Sequence, residues 1–269
     1  MLARITFTAA VAAAALAIPF AAVPAAASTG PNVPSIEESG YQGADAQFRF
    51  VQTTVFLRNP TQYSASLAGY GLSVQLWSAG RVIVLGVSAS TNPASSYSPA
   101  VSVFDRVTHA LVCSTAAAPP QQCPGTPVSW ANGSVSFPSG RSVTENLFYD
   151  QRSGIVTATV LDVTTGLASA ATYHAGIGQS FKVARIGAEV GVTPWDHLGY
   201  IAPPAVVTKL ASFSGAALTT YSGSHSNLRS WWVHSKLIMT SDGTSAGETR
   251  ATSTDLGGGG SSFNVNLQI

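Results

Sequence analysis

Two oppositely charged residues occupy one face of a predicted strand. The stretch "SFKVARIGAEVGV" alternates with period two and carries Arg185 and Glu189. Because side chains of a strand alternate between its two faces, both charges fall on the face that also holds Phe181 and Val183. Four residues of strand span about 13 Å, which is too far for a direct ion pair. We expect each charge to be solvated or to find a partner on a neighbouring strand, and both are candidate site residues.

A second candidate set lies in "NLRSWWVHSKLIM". Alternation puts Trp232, His234 and Lys236 on one face and assigns the other face, with Trp231, Val233, Leu237 and Met239, to the core. An aromatic ring, an imidazole and an ammonium group side by side suit a ligand groove. The alternative is an outer sheet face on which the lysine stem covers apolar surface while its charge stays in water.

Other kinds of chemistry lack their motifs. The sequence has no G-x-S-x-G elbow, and its five histidines show neither H-E-x-x-H nor H-x-H spacing. The run "GGGGSS" precedes no helix, so it does not predict a phosphate cradle. We therefore predict no metal and no organic cofactor. Charged residues make up only 9% of the chain and nearly balance, which excludes a basic surface for nucleic acid.

The first 27 residues have the features of an export signal. Arg4 precedes an apolar run, and the small residues Ala25 and Ala27 precede Ser28. The run is broken by Pro19 and Pro24, so we predict no membrane span. The expected protein is secreted, extracellular and monomeric, with cleavage after Ala27.

The two cysteines, Cys113 and Cys123, bracket the loop "STAAAPPQQ". In an exported protein they predict a local disulfide bond. A metal site and a catalytic thiol are the less favoured alternatives, because no histidine ligand is nearby and a second cysteine would oxidise the thiol.

The rest of the chain predicts an all-β domain. Residues 28–45 contain Pro and Gly without periodicity and are expected to be a poorly ordered N-terminal segment. From residue 46 to 269, short runs of alternating apolar residues such as "GLSVQLW" and "GIVTATVLDV" are separated by Gly, Pro, Asn and Ser. Ten or so such runs with no long amphipathic helix indicate one domain, a two-sheet antiparallel β-sandwich.

The order of these runs resembles that of a known family. "FRFVQTTVFL", "GLSVQLW", "VIVLGVS", "SVTENLFYDQRSGIVTATVLDV", "ARIGAEV" and "KLASFSGAALTTYSG" follow one another much as the strands do in eqolisins, the secreted glutamic peptidases. The resemblance covers most of residues 46–223. It implies a concanavalin-A-like sandwich, or jelly roll, of two curved antiparallel sheets.

The resemblance also implies a site. In eqolisins a Gln and a Glu face each other on the concave sheet, where the carboxylate activates a water and the amide stabilises the tetrahedral intermediate. Glu189 fits the place of the Glu, whereas the best match to the family's L-Q-T-G motif, "VIVLGV", puts Val84 at the Gln position. Gln75 occupies the Gln position only if the L-Q-T-G motif is aligned to this sequence in another register. A following aromatic and acid pair corresponds to Phe104 and Asp105.

Three functions follow as hypotheses. The leading one is a non-catalytic protein whose concave face binds an extended extracellular glycan or peptide through Arg185, Trp232, His234 and Lys236, since a valine cannot donate a hydrogen bond to an oxyanion. The second is an acid-active endopeptidase that uses Glu189 as its catalytic carboxylate. The third is a structural or cell-envelope protein.

Overall fold

The computed structural model describes residues 28–29, 32–35, 38–44, 46–58, 69–90, 96–115, 135–191, 208–228, 233–240, 243–247 and 249–267. The predicted signal segment, residues 1–27, lies outside them. The strands are β1 (Ser28–Thr29), β2 (Val33–Ser35), β3 (Glu38–Ala44), β4 (Phe48–Phe56), β5 (Gly69–Trp77), β6 (Arg81–Ser90), β7 (Ser96–Asp105), β8 (Leu111–Ser114), β9 (Phe137–Pro138), β10 (Ser142–Asp150), β11 (Ile155–Asp162), β12 (Ala168–His174), β13 (Val183–Gly191), β14 (Thr208–Thr220), β15 (His225–Asn227), β16 (Val233–Thr240), β17 (Thr249–Ser253) and β18 (Phe263–Leu267).

Hydrogen-bonded pairing arranges these strands in two layers. The front sheet has the order β16–β3–β13–β5–β6–β7–β8, and the back sheet has the order β12–β11–β10–β4–β14–β18–β17. The short strands β1 and β2 pair with β16 in parallel, and the remaining pairings are antiparallel. Pairing of β16 with β17 joins the two sheets at one edge. The prediction of an all-β, two-sheet sandwich is confirmed.

The core lies between the two sheets and is built from alternate residues of each strand. In the front sheet, Leu72, Val74 and Leu76 of β5 point inward and are buried. Val156, Ala158 and Val160 of β11 do the same in the back sheet, as do Phe263 and Val265 of β18. Burial of such side chains contributes about 1.5–3 kcal/mol each for the larger ones. The period of two therefore predicted which residues of these strands share a face, and for β18 it also predicted the inward set.

Strand β3 differs from the expectation that residues 28–45 are poorly ordered. It lies inside the front sheet, with β13 on one side and β16 on the other. A Cβ atom at Gly40 would lie 2.0 Å from the carbonyl oxygen of Ile186, so only glycine permits this close approach. Since "ESGYQGA" has no apolar alternation, its strand is stabilised by pairing on both sides and by the buried Tyr41 ring.

Candidate functional site

Register in the front sheet gathers polar residues on its outer face, the face turned away from the core. Directly opposite residues of paired strands share a face. Gln42 of β3 is opposite Arg185 of β13, and Arg185 is opposite Gln75 of β5. With Glu38 and Trp77, these three residues form a set that we call the polar cluster.

Arg185 makes contacts with three members of the polar cluster. Its Nη1 donates to Glu38 Oε2 at 3.1 Å, and its Nε donates to Gln42 Oε1 at 2.9 Å. Its Cζ lies 4.0 Å from the centroid of the Trp77 ring, in cation–π geometry. The side chains of Arg185 and Glu38 are only 14% and 5% exposed, so this ion pair is largely desolvated. The expectation that Arg185 finds a partner on a neighbouring strand is met by Glu38.

Gln75 is held by both ends of its amide. Its Nε2 donates to Glu38 Oε1 at 3.2 Å and to Ser73 Oγ at 3.3 Å. Its Oε1 accepts a 2.7 Å hydrogen bond from Trp77 Nε1. Because an indole N–H can only donate, the acceptor end of the amide must face Trp77 and the donor end must face the carboxylate. The amide of Gln75 is thus oriented and buried.

Gly187 provides the space in which the Glu38 carboxylate lies. A Cβ atom at position 187 would come within 2.8 Å of Glu38 Oε1 and 3.0 Å of Glu38 Cγ. Any larger residue would therefore push the carboxylate away from Arg185 and Gln75. The polar cluster depends on a glycine that makes no polar contact itself.

Position 189 lies in a different row of the same strand. Its backbone is opposite Glu38 on β3 and Gly71 on β5, four residues beyond Arg185. That separation corresponds to about 13 Å along the strand. The register therefore aligns position 189 with Glu38, and both lie four residues from the Arg185 row, a separation that the Glu38 side chain spans together with those of Arg185 and Gln75.

The family's Gln position falls in the Arg185 row. Val84 of β6 is opposite Gln75, and Gln75 is opposite Arg185. Across the intervening strand, the residue that faces position 84 is therefore Arg185 and not Glu189. The resemblance placed a Gln and a Glu face to face, but in this row the chain has a valine, a glutamine and an arginine.

Lys236, one member of the set predicted on β16, does not lie in the polar cluster. Lys236 is opposite Tyr41, which is opposite Ile186, so it belongs to the face that looks toward the core. Its Nζ donates to Asp255 Oδ1 at 2.5 Å, and this hydrogen bond lowers the pKa of Asp255. The backbone of His234 is opposite Gly43, and Trp232 lies outside the described residues.

The same register reverses the face predicted for Leu237. Leu237 was assigned to the core, but it is opposite Gly40 and therefore lies on the outer face, where it is nevertheless buried. Alternation gave the correct period for β16. The pairing with β3, which the sequence did not predict as a strand, decided which face is which.

A second guanidinium lies near Trp77 at the end of the polar cluster. Arg106 Cζ is 5.8 Å from the Trp77 ring centroid, and its Nη1 donates to the carbonyl oxygen of Ser78 at 2.9 Å. Close by, Asp105 accepts backbone hydrogen bonds from Thr108 and Val107, which lower its pKa, and pairs with Arg81. Asp105, half of the predicted aromatic and acid pair, thus caps a turn.

Other predicted features are only partly within the described residues. Cys113 is buried in β8, whereas Cys123 lies outside them, so the disulfide bond stays a prediction. Among the residues that the structure describes, no three His, Cys, Asp or Glu side chains come together to hold a metal ion. In the same part of the chain, no helix is long and apolar enough to cross a membrane.

Sequence reasoning missed Glu38, Gln42 and Trp77 as site residues. A signal for Trp77 was present, because Ser73, Gln75 and Trp77 alternate with the core residues of "GLSVQLW". Glu38 and Gln42 had no such signal, since the segment that contains them lacks apolar periodicity. Only the pairing of β3 with β13 brings them to Arg185.

No family model matches the sequence, and no curated protein matches it significantly. Solved structures do resemble its fold. Scytalido-glutamic peptidase, bound to a transition state analog inhibitor, is 10% identical with a TM-score of 0.53. SCP-B, a member of the eqolisin family of peptidases in complex with the tripeptide Ala-Ile-His, has the same identity and TM-score. Each match covers 87% of this chain and 100% of the other. At this identity the likeness concerns architecture alone, and the chain shares the fold of the eqolisin glutamic peptidases.

Proposed function

We propose that this chain is a secreted protein that binds an extended peptide or glycan on the outer face of its front sheet and does not cleave it. The proposed ligand contacts are Arg185, Trp77 and Gln42. Trp232, predicted from the sequence, remains a candidate contact and lies outside the described residues. Lys236 and His234 are left out, because their positions are opposite Tyr41 and Gly43, in rows of the face that looks toward the core.

The observation that carries this proposal is the row formed by Val84, Gln75 and Arg185. A hydrolytic site of the glutamic type needs an amide donor and a carboxylate that acts as general base. Valine has no donor, and a guanidinium stays protonated and cannot accept a proton. The amide and carboxylate that do meet nearby, those of Gln75 and Glu38, are bonded to each other, and the carboxylate also pairs with Arg185 and is only 5% exposed. The row and this engaged pair therefore support binding without hydrolysis.

The chemistry of the polar cluster suits ligand recognition. Trp77 presents an aromatic ring, one face of which is covered by the Arg185 guanidinium, and Arg185 and Gln42 present N–H donors beside it; all three are partly exposed. Glu38 neutralises Arg185, so the ligand need not carry charge. Sugars and extended peptides both meet these requirements, because each combines an apolar surface with hydrogen-bonding groups.

The second candidate is an acid-active endopeptidase that uses Glu189, and one observation favours it. The register places two glutamates, Glu38 and Glu189, opposite each other on β3 and β13. In general, two carboxylates that share a site disfavour double ionisation. Such a pair is a known arrangement for water activation at low pH.

Two assays decide between the candidates. Digestion of a denatured protein substrate from pH 2 to pH 7 compares the wild type with Glu189→Gln, and we expect neither to cleave. Peptide and glycan arrays then compare the wild type with Trp77→Ala and with Val163→Ser, an exposed residue away from the cluster. We expect Trp77→Ala to weaken binding by at least about tenfold, as for aromatic interface anchors, and Val163→Ser to leave it unchanged.

Each other outcome has a defined meaning. Acid proteolysis that is lost in Glu189→Gln would establish the peptidase and reject the binding proposal. If the folded wild type shows neither proteolysis nor array binding, the third hypothesis, a structural or cell-envelope role, is favoured.

A further inference from the structure

The outer face of the back sheet presents a broad surface without charged residues. Three successive rows cross it. The first row contains Thr219, Phe50, Phe148, Thr157 and Thr172. The second contains Ala217, Gln52, Asn146, Thr159 and Ala170, and the third contains Ser214, Thr54, Thr144, Leu161 and Ala168. None of these residues is Asp, Glu, Lys or Arg. We call this surface the neutral face.

The neutral face is wide enough for a polymer. Its rows cross β14, β4, β10, β11 and β12, and neighbouring strands lie about 4.8 Å apart. Successive same-face residues are about 6.6 Å apart along each strand. The surface therefore measures roughly 19 Å by 13 Å, which is enough for several residues of an extended chain.

Two phenylalanine rings lie side by side among hydroxyl and amide groups on this surface. Phe148 is 39% exposed and is directly opposite Phe50 on the next strand. Phe50 lies 6.5 Å, ring centroid to ring centroid, from His225 at the edge. The hydroxyl groups of Thr54 and Thr144 form a 2.9 Å hydrogen bond, which aligns these side chains across two strands. Rings offer stacking surfaces, while the hydroxyl and amide groups offer both donors and acceptors.

We propose that the neutral face is a second binding surface, and that its partner is a neutral polysaccharide. A sugar ring has an apolar C–H face and a rim of hydroxyl groups, so it complements phenylalanine flanked by Thr, Asn and Gln. A charged polymer would find no counter-charge in these rows. A second copy of the chain is the poorer partner, because stable homodimer interfaces have more apolar cores than this hydroxyl-rich surface.

This surface is distinct from the polar cluster, since it lies on the other sheet and faces the opposite direction. It therefore does not depend on the function proposed above. The protein would hold a polysaccharide through its back sheet while the front sheet remains open to its own ligand.

The test is retention on insoluble neutral polysaccharides. Microcrystalline cellulose, chitin and insoluble β-1,3-glucan are mixed with the wild type, with Phe148→Ser and with Thr157→Lys, which places a charge in the first row. We expect the wild type to be retained by at least one polymer, equally at low and high salt. Each variant should reduce the partition coefficient by about five- to tenfold, the size of one aromatic contact.

Two control variants locate the effect. Ile177→Ser and Val107→Ser each remove an exposed apolar side chain that belongs neither to the neutral face nor to the polar cluster. Both should be retained like the wild type, and circular dichroism should show that all variants fold. No retention of the wild type, or equal retention of Phe148→Ser and Thr157→Lys, would overturn the proposal. Dimerisation in sedimentation that Thr157→Lys abolishes, without retention, would assign the face to self-association instead.

Discussion

The ion pair of Arg185 and Glu38 is the most consequential contact at the scale of single residues. Both side chains are largely removed from water. Arg185 also donates a hydrogen bond to Gln42, and Glu38 also accepts one from Gln75. Taking one partner away leaves a buried charge without compensation, which typically costs about 3–5 kcal/mol. By contrast, an exposed pair contributes about 0–1 kcal/mol.

We expect Arg185→Gln and Glu38→Gln each to lower the free energy of unfolding by about 3 kcal/mol. The double variant should lose less than the sum, because neither charge is then left alone. Urea unfolding measures all three. Arg81→Gln, which breaks the more exposed pair with Asp105, is the matched control and should destabilise the protein much less. Additive losses in the double variant would mean that the two side chains are not coupled.

At the scale of elements, β3 determines the site. It supplies Glu38 and Gln42, and its pairing with β16 decides that Lys236 faces away from Arg185. Gly40 and Gly187 are opposite each other where β3 meets β13, and both lack room for a side chain. The two glycines therefore allow the close approach on which the polar cluster depends.

Gly40→Ala should destabilise the protein strongly, because its Cβ would overlap the Ile186 carbonyl oxygen and the strands would have to separate. We expect a loss of about 3 kcal/mol, the upper end of the usual range for overpacked sites. Thermal unfolding checks the change. Gly80→Ala is the control, since nothing lies within 4 Å of a Cβ placed there. A Gly40→Ala protein as stable as Gly80→Ala would contradict the position of β3 in the sheet.

At the scale of the whole molecule, acid is expected to weaken the fold. Backbone hydrogen bonds from Thr108 and Val107 lower the pKa of Asp105, and hydrogen bonds from Ser153 and Arg152 lower that of Asp150. For Asp162, burial raises the pKa, but the backbone N–H groups of Thr164 and Thr165 outweigh it, and the net shift is downward. These carboxylates are more acidic in the folded than in the unfolded state.

The sign of the pH dependence follows from linkage. A lowered folded-state pKa gives stability that is complete above the unfolded value, about 3.9, and is lost as pH falls through the folded value. We therefore expect the melting temperature to be constant from pH 7 to about 5 and to fall steadily below about 4. Calorimetry measures the profile, and Asp105→Asn should flatten it. A melting temperature that rises in acid would refute this account.

Export and crosslinking also belong to the whole molecule. We expect the mature protein to begin at Ser28 and to contain one bond between Cys113 and Cys123. Intact mass before and after reduction should differ by about two hydrogen atoms, as expected for one disulfide. Free thiols in the secreted protein would disprove the bond, and a retained N-terminal segment would disprove the cleavage.

The sequence by itself determined the fold class and which residues of each regular strand share a face. Period-two alternation in "GLSVQLW" and "GIVTATVLDV" reports burial directly, since one face of a sandwich strand must be apolar. It also placed Arg185 on the face turned away from the core. Those features are local, so a single strand shows them without its neighbours.

The composition of the site was decided only by tertiary structure. Glu38 comes from a segment without apolar periodicity, and its partners Gln75 and Arg185 lie 37 and 147 residues away in the chain. The faces of Lys236 and Leu237 depend on the register with β3, and a one-residue shift in register exchanges the two faces of a strand. Register is a property of paired strands, so a strand read alone does not contain it.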